Sequence, residues 1–248
     1  MTSVDSIESK HSQELINRQA YYDHLTQLPN RRKLYLDCEM KLPEFLENGD
    51  HAWLLFFDLD NFKNVNDTLG HQAEDELLQQ VGRIFNNDPD IRDHFYRLGG
   101  DEFILFLEKV SRKYVLSLVD KLLLLTNRPW ALTAGKPICR TSIGISRFPD
   151  DGQTVEELLH KADQVLYQAK DAGKGRAFFT DGKYSRSVDR LLKCRKVYRN
   201  RPVRKKNTSK ARTTARERSG AKARCRSAPT AASKKAVDCE LFFCEVTF

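Results

Sequence analysis

FYRLGGDEFILFLE, residues 95–108, sets two glycines and two carboxylates between two apolar runs. Residues 95–98 and 103–107 both read as strands, and the four residues between them predict a hairpin. Gly99 and Gly100 suit the turn because glycine adopts positive φ at little cost. A turn does not need two like charges, Asp101 and Glu102, at the start of a hydrophobic strand. Their placement predicts something cationic at the hairpin tip.

The segments around the hairpin alternate in type. Residues 1–22 read as a polar helix with weak periodicity through Val4, Ile7, Leu15 and Tyr22. DHLTQLPNRR breaks the chain at Pro29, and Asn30 can cap a helix carrying Leu34, Cys38, Leu42 and Phe45. HAWLLFFDLD is a buried strand ending in acids. Thr68 to Phe85 places Leu77, Leu78, Val81, Ile84 and Phe85 on one helical face. After the hairpin, residues 112–126 read as a helix and PICRTSIGIS as a strand. Thr154 and Glu157 form a capping box, and an apolar stripe from Val155 to Ala169 runs to a stop at Gly173. RAFFT supplies a last short strand. The order β-α-β-β-α-β-α-β from residue 52 predicts an α+β fold. One antiparallel-containing sheet carries packed helices in a split βαβ, ferredoxin-like arrangement.

The chain has 248 residues, 40% of them hydrophobic, as expected of a globular protein. No apolar run approaches the length of a membrane span, and MTSVDSIESK has no apolar core of a secretion signal. The six cysteines form no Cys-x-x-Cys pair, which predicts free thiols in a reducing, cytoplasmic setting. The net charge of +8 is an average of two unlike parts. Residues 193–248 hold 17 basic and 4 acidic residues, a net +13, and the remainder holds 25 basic and 30 acidic, a net −5. The pI of 9.2 therefore says nothing about the partners of the body.

Asp58 and Asp60 end the first strand, and Asp101 and Glu102 sit at the neighbouring hairpin tip. Adjacent strands lie about 5 Å apart, so these acidic ends can meet. Converging carboxylates raise one another's pKa, and a divalent cation relieves the conflict. Oxygen-only ligands suit Mg²⁺ or Mn²⁺, and Mg²⁺ commonly shares its shell with substrate phosphates. Lys63 can face charge developing on phosphate oxygens. Asn66 and Asp75 can hydrogen-bond a purine edge. A carboxylate that accepts from N1–H and the exocyclic amine favours guanine over adenine.

These stretches resemble a known family. RLGGDEF matches the signature of the GGDEF domain, the catalytic domain of diguanylate cyclases. DHLTQLPNRR, FDLDNFKNVND, TSIGIS with FPDDG, and ADQVLYQAKDAGKGR resemble its other blocks, in order, over about residues 20–182. The resemblance implies a palm-like, nucleotidyl-cyclase type of fold over residues 23–182, after a signalling-type helix at 1–22. It implies that two GTP molecules become cyclic di-GMP and two pyrophosphates, across a homodimer with facing active sites. Asp58, the Leu59 carbonyl, Asp101 and Glu102 would hold Mg²⁺ or Mn²⁺, and Asp101 would deprotonate the attacking 3′-hydroxyl. Lys63 would stabilise the transition state. Asn66, His71 and Asp75 would hold the nucleotide, Lys170 and Lys174 its terminal phosphates, and Gly99 and Gly100 would admit the backbone close to the phosphates. The alternative is an impaired domain that binds GTP or a cyclic dinucleotide and regulates a partner.

Three departures from the family stand out. Glu74 replaces the glycine usual before the guanine-reading aspartate, and would weaken GTP binding if that glycine makes room for the base. Asp90 replaces the arginine of the family's Arg-x-x-Asp product site, where only Asp93 fits, which predicts weak product inhibition. The upstream sensor and downstream EAL domain common in relatives are missing from the sequence. The basic stretch within residues 183–248 has few large apolar residues and reads as disordered. It is open to three readings: a basic arm for anionic surfaces, a zinc site using its four cysteines, or a truncated or out-of-frame EAL region. No specific nucleic-acid partner is expected. Trp53, Phe56, Phe57, Phe103, Phe106, Tyr167 and Phe178 are expected in the core. His24, His51, His94 and His160 are expected in surface or structural roles. Asp23 is expected to pair with Arg31 or Arg32.

Overall fold

The computed structural model describes residues 15–89, 91–182, 185–187 and 191. The first 14 residues, Asp90 and the basic tail, with its readings, lie outside the described residues. Residues 15–21 are helical. The elements that follow are α1 (Arg31–Asn48), β1 (Ala52–Asp60), α2 (Phe62–Leu69), α3 (His71–Asn86), β2 (Phe95–Gly99) and β3 (Glu102–Glu108). Then come α4 (Arg112–Thr126), β4 (Arg128–Pro129), β5 (Ile138–Phe148), α5 (Val155–Asp171), β6 (Arg176–Phe179) and β7 (Ser185–Ser187). The strand order is β2-β3-β1-β5-β6-β7, with β4 paired to the start of β5. All pairs are antiparallel except β5 with β6. β3 lies between β1 and β2, which is the split βαβ arrangement the sequence predicts.

β1 is central, and all nine of its residues are buried. The reason is that helices cover both faces. Trp53, Leu55, Phe57 and Leu59 join the core built with Leu77, Val81 and Phe85 of α3 and Val119 and Leu122 of α4. Leu54 and Phe56 join a second core with Leu34, Cys38 and Phe45 of α1 and Leu158, Ala162 and Leu166 of α5. Side chains alternate along a strand, so Asp58 and Asp60 fall on the face covered by α1 and α5. That parity decides which helix reaches the acids.

α5 comes unusually close to the sheet. A Cβ on Gly144 would lie 1.9 Å from the Ala162 carbonyl oxygen, so only glycine allows this approach of helix to β5. The capping box at Thr154 and Glu157 forms as predicted. The helix expected from Thr68 to Phe85 starts instead at His71, and Thr68 and Leu69 end a separate helix, α2, not expected from the sequence. Gly70, at φ +86°, lies between α2 and α3. Tyr167, expected in the core, is 73% exposed because it lies on the outer face of α5, and Phe178 is only half-buried. The other five aromatics expected in the core are buried. Cys38 and Cys139 are free and buried. No helix among the described residues is long and apolar enough to cross a membrane.

Candidate active site

The hairpin tip is a two-residue turn, Gly100 and Asp101, with Gly99 opposite Glu102. Gly99 and Gly100 have φ of +149° and +52°, which a side chain would strain. Arg97 braces this turn from within β2. Its Nε and Nη2 donate to the Gly100 carbonyl at 3.1 and 2.9 Å, and its Nη1 donates to Asp23 Oδ1 at 2.8 Å. Asp23 also accepts from the Thr26 amide and hydroxyl. Asp23 therefore pairs with Arg97, not with Arg31 or Arg32. Arg32 stacks over Tyr21 instead, 5.4 Å from the ring centre. An arginine inside an apolar strand, two residues before the glycines, was the available signal for this brace.

The acids meet at the end of the sheet. Asp58 lies directly opposite Glu102 across β1 and β3, and the Leu59 amide donates to the Asp101 carbonyl at 3.4 Å. Burial pushes the Asp58 carboxyl up to about 6, with the charge of Asp101 adding to the rise and Lys170 opposing it. Burial raises Asp101 and Glu102 as well, with Glu74 adding to the first and Asp101 to the second. Lys170, from the last turn of α5, places its ammonium 2.6 Å from Asp58 Oδ2.

Asp60 does not join this group. It is 3% exposed, and its carboxylate accepts from the Ser142 hydroxyl and from the Gly175 amide at 2.8 Å. Its work is to tie the loop after α5 to β1. Lys174 of that loop donates to Asn61 Oδ1 at 2.5 Å. Leu59 has its side chain in the core, so only its backbone could serve a ligand.

The remaining site residues sit on the two helices after β1. Lys63 is exposed on the first turn of α2, and Asn66 is half-buried near its end. His71 and Asp75 are exposed in the first turns of α3. Glu74, in place of the family's usual glycine, is partly covered on α3. Its side chain is only 24% exposed, and its Oε2 lies 3.2 Å from His71 Nδ1. The structure thus gathers Asp58, Asp101, Glu102 and Lys170, and leaves Lys63, His71 and Asp75 exposed on α2 and α3.

Among the described residues, no group of three His, Cys, Asp or Glu side chains is gathered to hold a metal unaided. A hard cation such as Mg²⁺ asks for less than a full protein cage, since it keeps waters and takes other ligands from phosphates. Asp58 and Asp101 offer oxygen donors only, and Asp58 already accepts a cation, the Lys170 ammonium. These residues fit one side of a shared metal–phosphate site.

Residues 20–176 match the family described as diguanylate cyclase, GGDEF domain. The chain is 36% identical over 173 residues to MucR of Pseudomonas aeruginosa, a bifunctional diguanylate cyclase and cyclic di-GMP phosphodiesterase; the match covers 69% of this chain and 25% of MucR. It is 34% identical over 159 residues to the diguanylate cyclase TpbB of Pseudomonas aeruginosa, covering 63% of this chain and 37% of TpbB. A solved structure comprising only the GGDEF domain of TpbB (YfiN) from Pseudomonas aeruginosa superposes with a TM-score of 0.60 at 30% identity, over 70% of this chain and 99% of that one. The chain thus spans well under half the length of these curated relatives. The matched span holds the hairpin, the acids and both lysines, and the chain belongs to the GGDEF-domain family of diguanylate cyclases.

Proposed function

We propose that the protein is a diguanylate cyclase that condenses two GTP molecules into cyclic di-GMP, releasing two pyrophosphates. The observation that carries this reading is the meeting of Asp58, Asp101 and Glu102 at the hairpin tip, with Lys170 facing them. Phosphoryl transfer needs positioning and charge compensation, not a covalent enzyme intermediate. Each 3′-hydroxyl attacks the α-phosphorus of the other nucleotide, and pyrophosphate leaves. Two copies of the domain, each holding one GTP, face each other to allow this.

The residues divide the work. Asp101 takes the proton of the 3′-hydroxyl, and its raised pKa suits a base that must hold a proton briefly. Asp58, the Leu59 carbonyl, Asp101 and Glu102 form the protein side of a Mg²⁺ or Mn²⁺ site. The bound metal would offset the charge of the phosphates and polarise the α-phosphorus. Lys63 stabilises the charge that builds on the transferring phosphate. Asn66 and Asp75 read the guanine edge, with His71 beside the nucleotide. Lys170 and Lys174 hold the terminal phosphates. The Gly99–Gly100 turn, braced by Arg97, lets the backbone approach them.

A second reading has one observation in its favour. Glu74 is partly buried, and its charge reaches Asp101, where a triphosphate would add more negative charge. A domain so biased could bind nucleotide and regulate a partner without turnover. Incubating the full chain with GTP and Mg²⁺, followed by mass spectrometry, separates the readings. Cyclic di-GMP that vanishes with Asp101→Ala supports the cyclase. Bound GTP without product supports the regulatory module.

A further inference from the structure

Both lysines assigned to phosphate binding are already engaged with the end of β1. Lys170 Nζ sits 2.6 Å from Asp58 Oδ2, and Lys174 Nζ sits 2.5 Å from Asn61 Oδ1. The two contacts differ in kind. Asn61 is a neutral amide, whereas Asp58 is a carboxylate whose side chain is only 12% exposed. Lys170 is the nearest compensating charge for that carboxylate, and its field also reaches Asp101 and Glu102. Its own side chain is 34% exposed at the end of α5, so its flexible stem is free to swing outward. An ammonium and a divalent cation held by one largely buried carboxylate lie close enough to repel strongly, whichever oxygen each takes.

We infer that Lys170 is an exchangeable counter-cation: it neutralises Asp58 in the metal-free protein, and a divalent metal must displace it. The displaced ammonium then meets the phosphates of the nucleotide. This rests on the metal and phosphate roles proposed above. Two consequences follow. Metal alone binds weakly, because it competes with an internal cation. Metal and nucleotide favour each other's binding, because phosphates give Lys170 a new partner, and this coupling is the same in either order of addition. Lys174 takes no part in the exchange.

The test is calorimetric titration of the full chain with Mn²⁺ at one pH, without nucleotide. Lys170→Gln is expected to bind Mn²⁺ about fivefold more tightly than the native chain, the upper range for a partly exposed ion pair. Lys170→Met gives the same gain and covers the case in which the glutamine variant fails to fold. Lys170→Arg keeps the charge and stays near the native affinity, as does Lys174→Gln. Asp58→Asn loses the binding. Equal affinity for the native chain and the two uncharged Lys170 variants, with binding lost in Asp58→Asn, overturns the exchange and leaves the metal site standing. Binding that survives Asp58→Asn unchanged overturns the metal site and the exchange with it.

Discussion

The guanidinium of Arg97 joins two distant parts of the chain, donating to Asp23 at 2.8 Å and twice to the Gly100 carbonyl. The turn that carries Asp101 is thus held by the segment that opens the domain. Arg97 is 9% exposed, so its loss leaves the Asp23 carboxylate and the Gly100 carbonyl short of a donor. Arg97→Ala is expected to cost about 3 kcal/mol in urea unfolding. Arg97→Lys recovers little of this, because one ammonium cannot span both acceptors. Equal stability of the alanine variant and the native chain would refute the brace.

Asp58 gives a pH-dependent effect whose sign follows from its raised pKa. The folded protein holds the proton more tightly than the unfolded chain. The stability associated with that proton is present below about pH 4 and is lost as pH rises through about 6. Asp58→Asn removes the penalty. In metal-free buffer it is expected to stabilise the protein by about 2 kcal/mol at pH 7.5, and by under about 1 kcal/mol at pH 4. Thermal unfolding of both proteins between pH 4 and pH 8 checks this. A gap that does not widen with pH would show that Asp58 is not desolvated.

Gly144 is where α5 rests on β5. The methyl of Gly144→Ala would overlap the Ala162 carbonyl, and a helix backbone cannot give way locally. The substitution is expected to cost about 3 kcal/mol or more in chemical denaturation. Since α5 carries Lys170, nucleotide binding should weaken together with stability.

Glu74 sends a negative charge toward Asp101 from the first turns of α3. Glu74→Gln and Glu74→Gly are both expected to tighten binding of Mg²⁺ with a non-cyclisable GTP analogue, by about threefold for the charge alone. A gain confined to the glycine variant would mean that the side chain obstructs the base. No gain in either would make Glu74 neutral toward the nucleotide.

The fold was largely legible in the sequence because its signals are local. The hairpin announced itself through paired glycines between apolar runs, and α5 through its capping box and stripe. The helix expected from Thr68 begins instead at His71, because Gly70, at φ +86°, ends a separate helix whose last residues are Thr68 and Leu69. Tyr167 was misread because an aromatic on a well-patterned helix invites a core assignment, and only the outer face of α5 was available to it.

The site was legible as a set of residue types but not as a set of partners. Sequence alone determined that acids end β1, that two more sit on the adjacent hairpin, and that lysines close the domain. Tertiary structure decided which of them meet. Asp60 and Asp58 are two residues apart on the same face, yet Asp60 is taken by the Gly175 amide, 115 residues away, while Asp58 receives Lys170. Asp23 finds Arg97 across 74 residues, not Arg31 or Arg32 a few residues on. The physical reason is that hydrogen-bond geometry and side-chain parity operate across the sheet. The order of residues along the chain does not encode these contacts locally.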